Sequence, residues 1–214
     1  MTAVASPDVK RAGARIGVFG GAFDPPHNAH VALARAAPEQ FGLDALYIIP
    51  TGQAWHKSRE LIAPCHRLAM TRLAFEDIPR VVVDDRELQR AGPTFTIDTL
   101  QALQAENPQA QLYLFIGADQ FAAFRQWHRW EEILELAIIC IADRAQPTLA
   151  QVQFEAYPGY SKHFFKLQLP LMPVSATQIR QMMASGVATA EAIASLVPEP
   201  VARYISLHQL YSSR

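Results

Sequence analysis

The sequence predicts an α/β protein with a doubly wound, Rossmann-like parallel sheet and helices on both faces. Three observations lead to this prediction: short apolar runs recur along the chain, helix-like stretches separate them, and the runs are apolar at consecutive positions. Strands buried on both faces have this appearance, whereas strands of a half-exposed sheet alternate. The 214 residues suffice for one substantial core. We therefore expect a single domain over residues 15–214, preceded by a disordered extension over residues 1–14.

The elements follow from local patterns, taken in chain order. The expected strands are Ile16–Phe19, Ala45–Ile49, Val81–Val83, Leu112–Ile116 and Ala137–Ile141. The expected helices are Val31–Phe41, His66–Phe75, Phe95–Ala105, Trp130–Leu136, Ala176–Ala184 and Glu199–Leu207. Thr94 is a candidate N-cap, and Asn107 before Pro108 favours a helix end. Residues 143–173 are rich in aromatic residues and proline, and they predict an irregular excursion with a late strand.

Composition excludes several classes of protein. The chain carries 19 Lys plus Arg against 20 Asp plus Glu, so nothing indicates a general binder of nucleic acid or of a membrane surface. The start of the chain lacks the apolar core of a signal peptide, and no run is long enough to span a membrane. Cys65 and Cys140 are the two cysteines, which predicts free thiols in the cytoplasm. Whether the chain forms a homo-oligomer stays open.

The most informative segment is 20–30, GGAFDPPHNAH, between the first expected strand and the first expected helix. Ligands of α/β proteins bind where strands end. Gly20 and Gly21 allow a phosphate to approach the backbone, and the following helix offers N–H groups and a positive dipole end. His27 and His30 are three residues apart, so they can share one helix face. Together these features predict a nucleoside triphosphate site.

A second segment, 174–180 with the sequence VSATQIR, places polar groups at another helix start. Ser175 and Thr177 supply hydroxyls, and Arg180 supplies a guanidinium fork, which are groups that bind phosphate. Taken alone, the string is more often a Ser-capped helix with a solvent-facing arginine. The G-x-G-x-x-G and P-loop strings are missing from the sequence, as are HExxH and CxxC metal motifs.

Segment 20–30 resembles the GxFDPxHxGH signature of the nucleotidyltransferase superfamily, and 174–180 resembles its ISSTxIR-like second signature. Ala29 stands where the family has glycine, and Ala176 replaces a serine. Several further segments resemble the bacterial nicotinate-nucleotide adenylyltransferase family: residues 85–100, 115–119, 127–130 and 196–205, with His56-Lys57 matching its PPHK element. The resemblance covers roughly residues 15–211 and is weakest over 143–173.

This resemblance implies transfer of AMP from ATP to nicotinate mononucleotide, giving nicotinate adenine dinucleotide and pyrophosphate in NAD biosynthesis. It implies catalytic roles for His27, His30, Lys57 and Arg180. The implied ATP-binding residues are Gly20, Gly21, Phe23, Gly117, Asp119, Ser175 and Thr177. The implied mononucleotide-binding residues are Phe95, Thr96 and Trp127. It implies no side-chain metal ligands, since Mg²⁺ would accompany ATP and be held by phosphates and water.

Several alternatives stay open at this point. Phe95, Trp127 and Trp130 are as often core residues as stacking platforms. Asp119 can also be read as a helix cap, and His56 and Lys57 as part of a solvated loop, whose closure over residues 52–60 is unknown. The acceptor could be nicotinamide mononucleotide or phosphopantetheine, although enzymes for the latter usually have Thr at position 27. A regulatory module that binds nucleotide without turnover is the alternative from a different class.

Overall fold

The computed structural model describes residues 13–53, 61–143, 160–185 and 190–212. Its strands all pair in parallel and form one sheet in the order β3-β2-β1-β4-β5-β6. These strands are β1 (Arg15–Gly21), β2 (Ala45–Pro50), β3 (Val81–Val83), β4 (Gln111–Gly117), β5 (Ala137–Asp143) and β6 (Phe164–Gln168). The five predicted strands are present, and β6 is the late strand expected between residues 143 and 173. Residues 144–159 of that stretch lie outside the described residues.

Helices connect the strands. They are α1 (Asn28–Phe41), α2 (Pro64–Phe75), α3 (Arg86–Gln89), α4 (Thr96–Glu106), α5 (Ala118–Ala122), α6 (Trp130–Leu136), α7 (Ala176–Ala184), α8 (Ala190–Ile193) and α9 (Glu199–Leu207), with 3₁₀ turns at Phe124–Gln126 and Ser161–His163. The predicted bounds of α6, α7 and α9 are confirmed. The short helices α3, α5 and α8 were not predicted, because one turn carries too little periodicity to be recognised.

The sheet separates two apolar cores, as the doubly wound prediction requires. Along β1, Ile16 and Val18 point into a core with α4 and α6, whereas Phe19 points into a core with α1, α2, α7 and α9. The central strand β4 divides in the same way, because Leu114 joins the first core and Phe115 the second. Side chains alternate across a strand, so a continuous apolar run fills both cores. The predicted fold class is confirmed.

The strand order locates the crevice. The chain builds β1, β2 and β3 outward in one direction and then returns to place β4 on the other side of β1. The connections after β1 and β4 therefore diverge above the carboxyl ends of these neighbouring strands. Open α/β sheets bind their ligands in such a crevice. Segment 20–30 follows β1, and Gly117 ends β4.

Three local expectations require correction. Thr94 does not cap α4, because that helix begins at Thr96 with Phe95 as its N-cap. Asp119 is not a cap either, since Gly117 is the N-cap of α5. The folded part begins before residue 15: the Gly13 N–H donates to the Gln109 carbonyl at 3.3 Å, and Ala14 is buried. The expectation for residues 1–12 lies outside the described residues.

The two cysteines differ in their surroundings. Both thiols are free, Cys65 is exposed, and Cys140 is buried in the core, where desolvation raises its pKa above the ordinary thiol value. Within the described part of the chain, no helix is long and apolar enough to span a membrane.

Candidate functional site

The loop after β1 is shaped by a close contact between its own residues. Phe23 adopts a left-handed backbone with φ of 45°, which is uncommon for a bulky residue, and its ring is only 2% exposed. A Cβ at Gly21 would lie 3.1 Å from this ring, so glycine allows the close approach. Phe23 was predicted to bind ATP. Its buried ring holds the loop to the core, so a contact with nucleotide would have to come from its backbone.

The two histidines of segment 20–30 form one stacked unit. Their ring centroids lie 3.7 Å apart at an interplanar angle of 17°, and His27 is 2% exposed at the N-cap of α1. The His27 backbone N–H donates to Nδ1 of His30 at 3.2 Å. A backbone N–H can only donate, so Nδ1 of His30 must accept. In this arrangement the ring of His30 is neutral and carries its proton on Nε2, where it can donate to an anion.

Arg180 joins the two predicted signatures. Its Nη1 donates to the Asp24 carbonyl at 2.7 Å, and its Nη2 donates to Thr177 Oγ1 at 3.0 Å. The first of these bonds connects residues 156 positions apart. The contact brings the start of α7 to the loop after β1. We call residues 20–30 together with 175–180 the signature side.

Ser175 caps α7, as the plainer interpretation of its motif predicted. Its Oγ accepts a hydrogen bond from the Gln178 N–H at 3.2 Å. A hydroxyl that accepts one bond keeps its own proton, so the cap and a donation to phosphate are compatible. Ser175 directly precedes the first turn of α7, where the positive end of the helix dipole lies.

The end of β4 shows a second close approach. A Cβ at Gly117 would lie 2.6 Å from Oδ1 of Asp119, so the carboxylate folds back over a position that only glycine leaves open. Asp119 is exposed, and its Oδ2 accepts a hydrogen bond from Gln120 Nε2 at 3.1 Å. An exposed carboxylate beside the crevice is available to a ligand hydroxyl.

Backbone hydrogen bonds connect the end of β1, through the end of β2, to the segment that precedes α4. The Thr51 N–H donates to the Gly21 carbonyl at 2.8 Å, which ties the end of β2 to the end of β1. Two residues on, the Gln53 carbonyl accepts from the Thr94 N–H at 3.2 Å. Phe95 and Thr96 follow directly and begin α4. Two of the predicted mononucleotide residues, Phe95 and Thr96, are therefore linked through the end of β2 to the end of β1.

Aromatic side chains gather between the start of α4 and the turn before α6. The ring of Phe95 contacts the ring of His128 at a centroid distance of 4.4 Å, which joins the start of α4 to the turn before α6. Trp127, next in the chain to His128, is half-buried and packs against Phe124 at 5.4 Å. Trp127 therefore packs on the core and stays half-buried, and its stacking on a ligand stays a prediction. We call residues 94–96 and 127–128 the aromatic side.

Sequence reasoning missed Arg67. It lies on α2 and is 1% exposed, and its guanidinium donates to three backbone carbonyls: Ala22 at 3.1 Å, Thr51 at 2.7 Å and Ile62 at 3.2 Å. It thus ties the loop after β1 to the end of β2 and places a buried positive charge beneath the predicted phosphate site. A single arginine on a helix reads as solvent-exposed, so no signal in the sequence pointed to it.

The acidic residues after β3 serve the scaffold. Arg86 contacts Asp84 at 2.6 Å and Glu106 at 3.0 Å. Burial acts to lower the pKa of Arg86, but the hydrogen bonds and charges of the two carboxylates outweigh it and raise that pKa. Among the described residues, no group of three or more His, Cys, Asp or Glu side chains could hold a metal ion. Lys57 and His56 lie outside the described residues.

The chain is similar to known proteins in both sequence and fold. Residues 18–182 match the cytidylyltransferase-like family. A "Probable nicotinate-nucleotide adenylyltransferase" of Albidiferax ferrireducens is 51% identical over 199 residues, which cover 93% of this chain and 98% of that protein. A solved structure of Plasmodium falciparum nicotinic acid mononucleotide adenylyltransferase complexed with APC matches with a TM-score of 0.76 at 17% identity, covering 92% of this chain and 97% of that one. The same protein complexed with NaAD gives 0.75 at 16% identity, with the same coverage.

Proposed function

This chain belongs to the cytidylyltransferase-like family and, within it, to the nicotinate-nucleotide adenylyltransferases, and on that premise we propose how its site performs the reaction. It transfers AMP from ATP to nicotinate mononucleotide, forming nicotinate adenine dinucleotide and pyrophosphate in NAD biosynthesis. The observation that carries the proposal is the bond from Arg180 to the Asp24 carbonyl, which brings the two signatures together beside the switch point of the sheet. A site for one nucleotide alone would not need the aromatic side next to it.

The reaction is a displacement at phosphorus. A 5′-phosphate oxygen of the mononucleotide attacks the α-phosphorus of ATP, a new P–O bond forms, and the bond from the α-phosphorus to the oxygen bridging the α- and β-phosphates breaks. Pyrophosphate leaves with that electron pair. The attacking phosphate is already ionised, so no side chain has to remove a proton. Catalysis then rests on holding two anions in line and stabilising the charge that builds up between them.

The signature side has the groups for this task. Nε2–H of His30 is set as a donor by the bond at its Nδ1, and His27 holds that ring by stacking. Arg180 is anchored at two of its nitrogens, which fixes the plane of its guanidinium. The dipole ends of α1 and α7 add partial positive charge without further ionised groups. By family resemblance, Lys57 is proposed to reach the same phosphates.

Mg²⁺ fits this donor set only as a companion of ATP. The described residues offer no cluster of ligands, and the carboxylate of Asp24 is turned to Tyr211. Mg²⁺ commonly keeps several waters and binds through substrate phosphates. When bound it would offset phosphate charge, and Arg180, His27 and His30 would act on the oxygens that it leaves accessible.

The aromatic side is proposed to hold the pyridine ring. Trp127 is half-buried and precedes His128, whose ring contacts Phe95, and a flat heterocycle can stack on such aromatic side chains. The helix α4 starts at Thr96 with a cap residue that has no side-chain oxygen. Backbone N–H groups at such a start favour the carboxylate of nicotinate over the amide of nicotinamide.

Asp119 is proposed to bind the adenosine ribose. We further propose that the protein works in the cytoplasm.

The test measures pyrophosphate release by the purified protein with MgATP and one acceptor at a time. Nicotinate mononucleotide should be preferred by kcat/KM over nicotinamide mononucleotide, and phosphopantetheine should give no turnover. Preference for nicotinamide mononucleotide would refute the carboxylate assignment at Thr96. Turnover with phosphopantetheine would refute the role of the aromatic side. ATP binding without turnover on any acceptor would favour the regulatory alternative.

A further inference from the structure

The loop after β1 is anchored by a distant part of the chain. Tyr211, which follows α9, donates its hydroxyl to Oδ1 of Asp24 at 2.6 Å. Asn28 is held by the same stretch: its Nδ2 donates to the Ser195 carbonyl at 2.9 Å, and its backbone N–H donates to the Leu196 carbonyl at 2.9 Å. Residues 195–211 therefore contact the loop at both ends of the Asp24–Asn28 stretch.

Asp24 lies between Tyr211 and Arg180. The residue is 1% exposed, its carboxylate accepts from Tyr211, and its own carbonyl accepts from Nη1 of Arg180 at 2.7 Å. A hydroxyl-to-oxygen distance of 2.6 Å is typical of a charge-assisted bond, which is stronger than a bond between neutral groups. The side chain and the carbonyl of Asp24 are thus held by different partners, and a shift of the Asp24 backbone would move the carbonyl that Nη1 of Arg180 contacts.

The backbone at Tyr211 supports a specific role for this residue. Its φ is 66°, in the left-handed region that residues with a side chain seldom adopt, and Gln209 nearby has a φ of 49°. Such conformations persist only when the surroundings hold them. Here the held conformation delivers a hydroxyl to the loop that carries the histidines.

We propose that Tyr211 is a positioning residue for the transfer reaction: through Asp24 it fixes where the guanidinium of Arg180 meets the phosphates of ATP. The inference rests on the proposed function, since it assigns Arg180 to ATP. Loss of the Tyr211 hydroxyl should loosen the backbone at Asp24 and should thereby weaken the contact of Arg180 with ATP. The acceptor, which binds at the aromatic side, should be unaffected.

The test is a double-mutant cycle with Tyr211→Phe and Arg180→Lys in the full chain. We expect Tyr211→Phe to lower kcat/KM for ATP about tenfold, equal to ~1.4 kcal/mol, and to leave KM for nicotinate mononucleotide unchanged. In the Arg180→Lys background the same substitution should cost less than about twofold, because residues that act through one another are not additive. ATP affinity measured by calorimetry on all four proteins supplies a readout independent of the acceptor.

Tyr204→Phe is the matched control. It removes a hydroxyl that also contacts a distant element, since Tyr204 Oη lies 3.0 Å from Nδ1 of His66. It should lower the melting temperature about as much as Tyr211→Phe without changing kcat/KM. The proposal is overturned if Tyr211→Phe keeps wild-type kcat/KM and ATP affinity, or if it costs the same factor with Lys at position 180. Failure of the wild type to use nicotinate mononucleotide would instead refute the proposed function, and the ATP affinities would still decide the role of Tyr211.

Discussion

The residues within the signature side are held together by a different kind of contact from those within the aromatic side. On the signature side, directional hydrogen bonds add to the stacking of the two histidines: Arg180 donates to the Asp24 carbonyl, and the His27 N–H donates to His30. On the aromatic side, tilted rings contact each other at centroid distances of 4.4 Å for Phe95 and His128 and 5.4 Å for Trp127 and Phe124. No hydrogen bond between side chains can fix either pair, because one member of each is a phenylalanine. Groups that stabilise transition-state charge must be held in place beforehand, whereas a stacking surface only has to be flat and accessible. Substitution of the histidines on the signature side should therefore lower kcat, and substitutions on the aromatic side should raise KM for nicotinate mononucleotide.

The largest effect is expected from His27→Ala. Removing one preorganised group at a reacting phosphate should lower kcat by about 10³-fold, in line with losses of single oxyanion donors. KM for both substrates should change little, because the stacked histidines act most strongly in the transition state. Steady-state pyrophosphate release, together with a thermal unfolding curve, measures both.

His208→Ala is the control for His27→Ala, because His208 is exposed and packs against Tyr204 away from the loop. It should keep wild-type kcat. If His27→Ala retained kcat within threefold of wild type while remaining folded, the charge-stabilising role of the stacked pair would be wrong.

Trp127→Ala should act on KM. Stacking of one base on an aromatic ring contributes ~1–3 kcal/mol, so KM for nicotinate mononucleotide should rise about tenfold or more. KM for ATP should stay near wild type. Trp130→Phe is the matched control, since Trp130 packs on Phe124 and Tyr160 and should affect stability alone. A fall in kcat with unchanged KM would abolish the distinction between the two sides.

Gly117→Ala tests the crevice between the signature side and the aromatic side. The added methyl would meet Asp119 Oδ1 at 2.6 Å, and the flexible carboxylate would swing away at little cost to the fold. KM for ATP should rise about fivefold, the equivalent of one hydrogen bond of ~1 kcal/mol. The same substitution made on top of Asp119→Ala should have no further effect. An undiminished effect there would mean that the methyl itself collides with the nucleotide.

Ser175→Ala should have the smallest effect. Loss of the cap on α7 should lower stability by about 1 kcal/mol, and the melting temperature should fall by about 2–4 °C. Asn at this position caps equally well but lacks the hydroxyl. We expect Ser175→Asn to restore the melting temperature and to leave KM for ATP raised about twofold. Full recovery of KM would show that Ser175 is a cap and no ligand.

The sequence predicted those parts of the fold whose cues are local. The bounds of α6 and α7 were right because each helix carries its own apolar pattern, and α7 also begins at a serine cap. The start of α1 was placed three residues late, because His27 serves as its N-cap and histidine is not a recognised capping residue. Thr94 was wrongly predicted as the N-cap of α4 because threonine is a favoured capping residue. In the structure its hydroxyl lies 3.4 Å from the hydroxyl of Thr51 instead.

The candidate site was predicted only through its two signature strings and the family they resemble. The contacts that hold the strings in place are long-range, and no spacing rule reveals them. Arg67 resembles any helical arginine, and Tyr211 meets Asp24 across 187 positions. Chain topology determines such pairs, so they become visible only once the sheet order is known.

The anchoring of Asn28 by Ser195 and Leu196 also has a consequence for biosynthesis. The ribosome makes the loop after β1 roughly 170 residues before it makes the carbonyls that hold Asn28. At about 5–20 residues per second, the interval is on the order of ten seconds or more. During that time β1 and β2 can already pair, but the loop between β1 and α1 lacks the hydrogen bonds from Asn28 to residues 195 and 196. A nascent chain is thus expected to acquire its sheet first and its competence for ATP only after residue 211 has emerged.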